Sequence, residues 1–298
     1  MHIPVLQKEV LGYLNPEPNE NFIDCTLGQT GHTLMILERT GPKGKVLGID
    51  RDSEILRGVK KSCESAGWQA ERLRLVCDNF VNLKKIVEKE KFGPISGILF
   101  DLGMSSWHLK ESGRGFSFKA EEPLDMRYNL DNPLTAEKII NEWPESKIEK
   151  ILKEYGEERF SKQITRGIAR ERKLRPIKTT FQLSEIIKKV VPGWYLRRKI
   201  HFATKTFQAL RIAVNEELEN LEKVLPQAVE ILEQHGRLAL ISFHSLEDRI
   251  VKNFLRNKAK EGSVKILTKK PITSSREEIK INPSSRSAKL RAAIKINI

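Results

Sequence analysis

Short apolar runs that end in an acid recur through the first third of the chain. Phe22-Ile23-Asp24-Cys25-Thr26, Val46 to Ile49 before Asp50, Arg72 to Cys77 before Asp78, and Ile95 to Phe100 before Asp101 each have strand length. Helical spacing fills the gaps between them. Leu34, Met35 and Leu37 fall on one side of a helix that Gly41-Pro42 stops, and Ser53 caps a helix predicted to end at Gly67. A polar helix then runs to about Lys91. Strands alternating with helices predict a parallel sheet, with Asp24, Asp50, Asp78 and Asp101 aimed at its carboxyl rim, where such sheets bind ligands.

The alternation stops after Asp101. Trp107 to Asn132 reads as loop, and Thr135 to about Lys199 reads as helix, with Ser146 and Glu149 spaced as a capping box. The strand pattern returns later. Leu218, Leu221, Val224, Ala228 and Ile231 mark a helix interrupted near Pro226, and Arg237 to Phe243 gives a fifth strand. Ser245 with Asp248 then caps another helix. Val264 to Leu267 and Leu290 to Ile296 predict a closing antiparallel pair, with a serine- and arginine-rich loop, Thr273 to Ala288, between them. The expected organisation is a discontinuous α/β core, 1–111 and 207–298, with a helical domain, 112–206, inserted after the fourth strand.

Charge sharpens this picture. Ser161 to Lys205 carries +11 and Lys252 to Ile298 carries +10 of a total of +14 over 298 residues, so the remainder carries −7. An acidic scaffold bearing two basic segments suits a polyanion partner such as nucleic acid. Cys25, Cys63 and Cys77 have no framework spacing, no apolar run reaches membrane-spanning length, and the start is not a signal peptide. A cytoplasmic protein without a membrane partner is expected. No cluster of Cys, His and carboxylate has metal-ligand spacing, so no metal is expected.

The turn Gly28-Gln29-Thr30-Gly31 after the first strand fits two cofactors. A dinucleotide wants Gly-x-Gly-x-x-Gly to place a pyrophosphate on the helix N-terminus, and that pattern is incomplete here. S-adenosylmethionine carries a sulfonium and no phosphate, so nearby carboxylates favour it. In either case Asp50, one strand over, is placed for a ribose diol.

The whole chain resembles a known family, the bacterial small-subunit ribosomal RNA cytosine-N4 methyltransferases. Its words stand in order: HIPVL (2–6), DCTLGQTGH (24–32), GIDRD (48–52), DLGMSS (101–106), RGFSF (114–118), PLDMR (123–127), YGEER (155–159), TFQALRIAVNEEL (206–218), SFHSLEDRIVK (242–252) and SRSAKLR (285–291). The resemblance implies a class I, Rossmann-like, S-adenosylmethionine methyltransferase sheet with an inserted all-helical domain. It implies cofactor contacts at Thr30, Gly31, His32, Asp50, Phe80, Asp101 and His108. Thr30 stands where the family usually has a second glycine, and His108 where it has glutamine. The implied reaction is methylation of N4 of a decoding-centre cytidine in 16S rRNA, with the assembled or assembling 30S subunit as partner and the oligomeric state open, a dimer included.

Cytosine N4 is a weak nucleophile because its lone pair is delocalised into the ring. Alignment with the methyl group and an acceptor for the amine hydrogens are therefore the chemistry required. Asp101 is the expected group at the junction, with Ser105 and His244 as further candidate acceptors. Gly113 to Arg127, Phe116, Phe118 and Trp194 are candidate RNA contacts, and Ser285 to Lys289 is either RNA surface or a basic loop. Two other readings remain: a nicotinamide-dependent oxidoreductase, and a non-catalytic RNA-binding protein on a degenerate cofactor fold.

Overall fold

The computed structural model describes residues 4–65 and 71–296. His2 and Ile3 of the opening word, and the expected helix stop at Gly67, lie outside the described residues. The chain divides into two compact units, one formed by Met1–Gly103 with Leu218–Ile298 and the other by Met104–Glu217.

The first unit is built on a sheet whose strands are β1 (Phe22–Asp24), β2 (Val46–Asp50), β3 (Leu73–Cys77), β4 (Gly97–Asp101), β5 (Arg237–Ser242), β6 (Val264–Ile266) and β7 (Lys289–Lys295). The order is β3-β2-β1-β4-β5-β7-β6, with β7 antiparallel to both its neighbours and the other pairings parallel. Side chains on successive strand residues point to opposite faces, and both faces are covered. Ile23, Leu47, Ile49, Ile98, Phe100, Leu238 and Leu240 pack in one core, and Phe22, Val46, Leu99, Ala239 and Ile241 in the other. That double burial explains why these strands read as continuous apolar runs. The strand order reverses between β1 and β4. Their carboxyl ends, Asp24 and Asp101, therefore flank the switch point at which open α/β sheets form their ligand crevice.

Several local expectations need correction. The Gly31–Arg39 helix buries Thr33, Ile36 and Leu37 rather than Leu34 and Met35. Asp52, not Ser53, caps the next helix by accepting the Glu54 amide at 2.9 Å. His244 rather than Ser245 caps Ser245–Lys260, with Glu247 closing the box. The helix Glu145–Glu154 starts after Pro144 with no side-chain cap, so Ser146 has no capping role. Glu217–Ile231 is one continuous helix with Pro226 inside it, held by burial of Leu221, Val224, Leu225 and Ala228. The Thr273 to Ala288 stretch holds a helix, Arg276–Ile281, and a 3-10 turn, Pro283–Ser287.

The second unit is helical and has its own core, including Ile139, Ile148, Leu152, Ile164, Ile168, Leu183, Ile187, Phe207, Leu210 and Val214. Its limits differ from 112 and 206. The Thr204–Asn215 helix drives Phe207, Leu210 and Val214 into this core, so it belongs here, as does the short helix Ser106–Lys110. Phe207 is buried in this core, whereas Phe181 is 43% exposed.

Candidate active site

The crevice end of the first unit is fixed by main-chain geometry. After β1 the chain turns at Gly28, whose φ of +49° lies in the left-handed region where glycine carries no Cβ penalty. Thr30 is left-handed too, at φ 65° and ψ 5°, and is the N-cap of the Gly31–Arg39 helix without a side-chain cap bond. Its hydroxyl donates to the Gln29 carbonyl at 2.6 Å. A Cβ on Gly31 would lie 2.5 Å from Pro4 Cγ, so glycine is required there by close packing.

Asp50 ends β2 and holds this turn. Its Oδ2 accepts the Gly28 amide at 3.0 Å and its Oδ1 accepts the Asp52 amide at 2.9 Å. A carboxylate offers about four acceptor sites, so these two bonds alone do not exhaust its capacity to accept a diol. Asp24 behaves differently. It is 2% exposed, and its carboxylate accepts the Thr33 hydroxyl at 2.7 Å and the Thr26 amide at 3.1 Å. Burial raises its pKa above the usual carboxylate range, against the opposing pull of Thr33, and it raises the Cys25 thiol as well. Asp24 is therefore a structural acid facing inward. Asp78 is likewise engaged, accepting the Asn79 amide at 2.6 Å and the Asn82 side-chain amide at 2.9 Å.

Asp101 ends β4, and its main-chain amide donates to Thr26 Oγ1 at 2.6 Å, which pins the β4 end to the loop after β1. His32 is 5% exposed, and its Nε2 stands 3.6 Å from Asp101 Oδ2. Neither ring nitrogen of His32 nor Oδ1 of Asp101 has a hydrogen-bond partner. A buried polar atom left unpaired costs about 1–3 kcal/mol, and a polar group placed beside these three would satisfy them. Phe80 sits on the 3-10 turn Phe80–Asn82, half-buried, with its ring edge-on to Phe100 at 5.8 Å. Thr26 is a residue that sequence reasoning missed. The signal was its place in the word DCTLG, but nothing in that word shows a hydroxyl reaching across to β4.

His244 is occupied locally. Its Nδ1 accepts the Glu247 amide at 3.4 Å, and its Nε2 approaches Glu247 Oε1 at 3.1 Å without hydrogen-bond geometry. Ser105 and His108 belong to the helical unit. Ser105 caps Ser106–Lys110 and its hydroxyl lies 2.9 Å from His108 Nδ1. The His108 ring is buried among Trp107, Phe116 and Tyr128. Phe116, 6% exposed and stacked on Tyr128, is core rather than a surface for a base. Phe118 stacks on His201 at 4.2 Å. The arginines of the Gly113 to Arg127 loop also build the loop itself. Arg114 donates to the carbonyls of Arg127 and Tyr128, and Arg127 pairs with Asp125.

Comparison with known proteins bears on this geometry. Residues 1–296 match the model of the MraW methylase family. A protein of Heliobacterium mobile named ribosomal RNA small subunit methyltransferase H is 47% identical over 311 aligned residues, covering 99% of each chain. A Thermosipho melanesiensis protein of the same name is also 47% identical, over 99% of this chain and 98% of its own. Among solved structures, one described as an rRNA-methylase from Clostridium thermocellum superposes with a TM-score of 0.51 at 12% identity, covering 99% of this chain and all of that one. At that identity the likeness shows the fold.

Proposed function

The chain belongs to the MraW methylase family, and on that premise we propose that it transfers a methyl group from S-adenosylmethionine to the exocyclic N4 of a cytidine in small-subunit rRNA. The observation that carries the reading is the junction of β1 and β4, where Asp101 and His32 present unpartnered buried polar atoms beside the Gly28 turn. The nicotinamide reading has no such support from the relatives.

The residues present fit the methyl donor. Asp50 would take its ribose, the backbone from Gly28 to Gly31 would lie along it, and Phe80 would cover its base. When bound, S-adenosylmethionine supplies an activated methyl group. The protein's own task is then to orient the amine and take up its hydrogen. Asp101 does this as an acceptor, because its Oδ1 is buried, unpaired and held in place through the Thr26 bond to its own amide. Ser105 and His244 are already used as helix caps, which makes Asp101 the stronger candidate of the three. The helical unit, including His108, is the proposed RNA-substrate domain, and its basic segment suits phosphate.

No helix among the described residues is long and apolar enough to cross a membrane. The proposed setting is the cytoplasm, with the assembled or assembling 30S subunit as substrate. The test is incubation of the full chain with methyl-labelled S-adenosylmethionine and small subunits from cells lacking the protein, followed by nucleoside mapping. Label in N4-methylcytidine is expected. Label in another nucleoside, or none in any subunit or naked rRNA, overturns the proposal.

A further inference from the structure

The helical unit carries an aromatic and basic surface that none of the assigned donor contacts includes. Trp194, on the short helix Gly193–Leu196, is 46% exposed although it is among the largest apolar side chains. Its neighbour Tyr195 is 3% exposed, and the Tyr195 hydroxyl donates to the Glu158 carboxylate, lying 2.7 Å and 2.9 Å from its two oxygens. Glu158, itself 3% exposed, also accepts the Phe160 amide at 2.9 Å. This buried latch ties the residue after Trp194 to the segment that carries Arg159 and Phe160. The Arg159 guanidinium lies over the indole at 5.5 Å, and the Phe160 ring leans against it at 5.8 Å. Arg198 covers the Tyr195 ring at 5.1 Å.

The charges around the indole have one dominant sign. Arg159, Lys162, Arg197, Arg198 and Lys199 are exposed in these two segments, against Glu157 as the exposed acid. Among the described residues no carboxylate lies within ion-pair distance of Arg159, Arg197, Arg198 or Lys199. A held indole with an arginine plane on it and unneutralised cations beside it has the composition of a stacking platform for unpaired bases, with phosphates taken by the cations.

We infer that Trp194 and Arg159 form a platform that stacks an unpaired base of the substrate RNA, while Arg197, Arg198 and Lys199 hold its backbone. The inference rests on the small-subunit rRNA reading, and it adds a contact at a nucleotide other than the methylated one. The platform is read-out by shape and charge, so it tolerates any base.

The experiment uses the full chain and a mixed-sequence single-stranded RNA 12-mer, in parallel with the same backbone made abasic, followed by fluorescence anisotropy. Trp194→Ala is expected to weaken the ordinary 12-mer about 5- to 150-fold and to leave the abasic strand unchanged. Trp194→Phe should keep most of the affinity. Leu174→Ala, at another exposed apolar residue, should change nothing. Arg197→Gln should lower the salt dependence by about one counterion, with or without bases. On small subunits Trp194→Ala should raise KM and spare kcat. Equal binding of both RNAs by Trp194→Ala and parent overturns the platform, as does a loss shared by the abasic strand. A loss of self-association or of binding to anionic vesicles in Trp194→Ala, with RNA binding intact, also overturns it. Methyl transfer by the parent to small subunits is read separately. Its absence would sink the catalytic reading whatever the 12-mer does.

Discussion

His32 Nε2 and Asp101 Oδ2 stand 3.6 Å apart at the switch point of the sheet, where both ring nitrogens of His32 and Oδ1 of Asp101 are buried without a hydrogen-bond partner. Such an arrangement costs folding free energy, which a polar group bound there would return. Asp101→Ala should therefore stay folded, with a thermal midpoint no lower than the parent's. Methyl transfer should fall by at least about 100-fold, the usual size of a lost acid–base or polar contact in a transition state. A variant that keeps full transfer would remove Asp101 from the mechanism.

Asp50 has two tasks that can be separated. Removing its carboxylate frees the amides of Gly28 and Asp52, which should cost about 2 kcal/mol of stability and loosen the turn. Asp50→Asn keeps one acceptor oxygen, so it should lose less stability than Asp50→Ala while still binding the donor poorly. Calorimetric titration with S-adenosylmethionine beside a urea melt reads both. Asp50→Asn with parental donor affinity would show that the carboxylate serves only the turn.

Thr30 is a β-branched residue at φ 65°, a conformation that disfavours it by about 1–2 kcal/mol relative to glycine. Part of that is returned by the greater unfolded-state freedom of glycine. Thr30→Gly should accordingly stabilise the chain by up to about 1 kcal/mol, and Gly28→Ala should destabilise it. A lower melting temperature for Thr30→Gly would mean that the Thr30 hydroxyl bond to Gln29 outweighs the backbone strain.

What could be read in the sequence follows from how each feature is encoded. β2, β4 and β5 were legible because strands buried on both faces need apolar residues at every position, and Val46 to Ile49 supplies them without help from elsewhere. Ser53 and Ser245 have capping chemistry, but the caps lie one residue earlier, where Asp52 accepts the Glu54 amide and His244 has extended backbone. The glycine turn and Asp50 were legible as neighbours in a strand–turn–helix–strand word. The Thr26 bond to Asp101 was not, since it joins residues 75 apart in sequence through a hydroxyl with many other possible uses. Arg114 and Arg291 stand in loop-like or basic stretches yet are buried and paired, so their charge builds the fold rather than a surface, which residue type alone does not show.

Arg291 of β7 and Asp248 of the Ser245–Lys260 helix make the last prediction. Arg291 Nε donates to Asp248 Oδ1 at 2.7 Å and Nη2 to Oδ2 at 3.3 Å, with Lys289 Nζ at 3.7 Å. Burial alone would raise the Asp248 pKa, but the Arg291 bonds and charge, with Lys289 and Lys252, hold it below the usual value. A carboxyl lowered on folding contributes stability that is present above its unfolded pKa and is lost as pH falls through the folded one. At neutral pH Asp248→Asn should cost about 1.5–3 kcal/mol, the range for hydrogen bonds to a charged group. As the pH drops below about 4, the unfolded value for aspartate, the parent should lose this advantage and the two stability curves should converge. Urea melts across that range decide it, because a gap that stays constant from neutral to strongly acidic pH would mean that charge plays no part in the pairing.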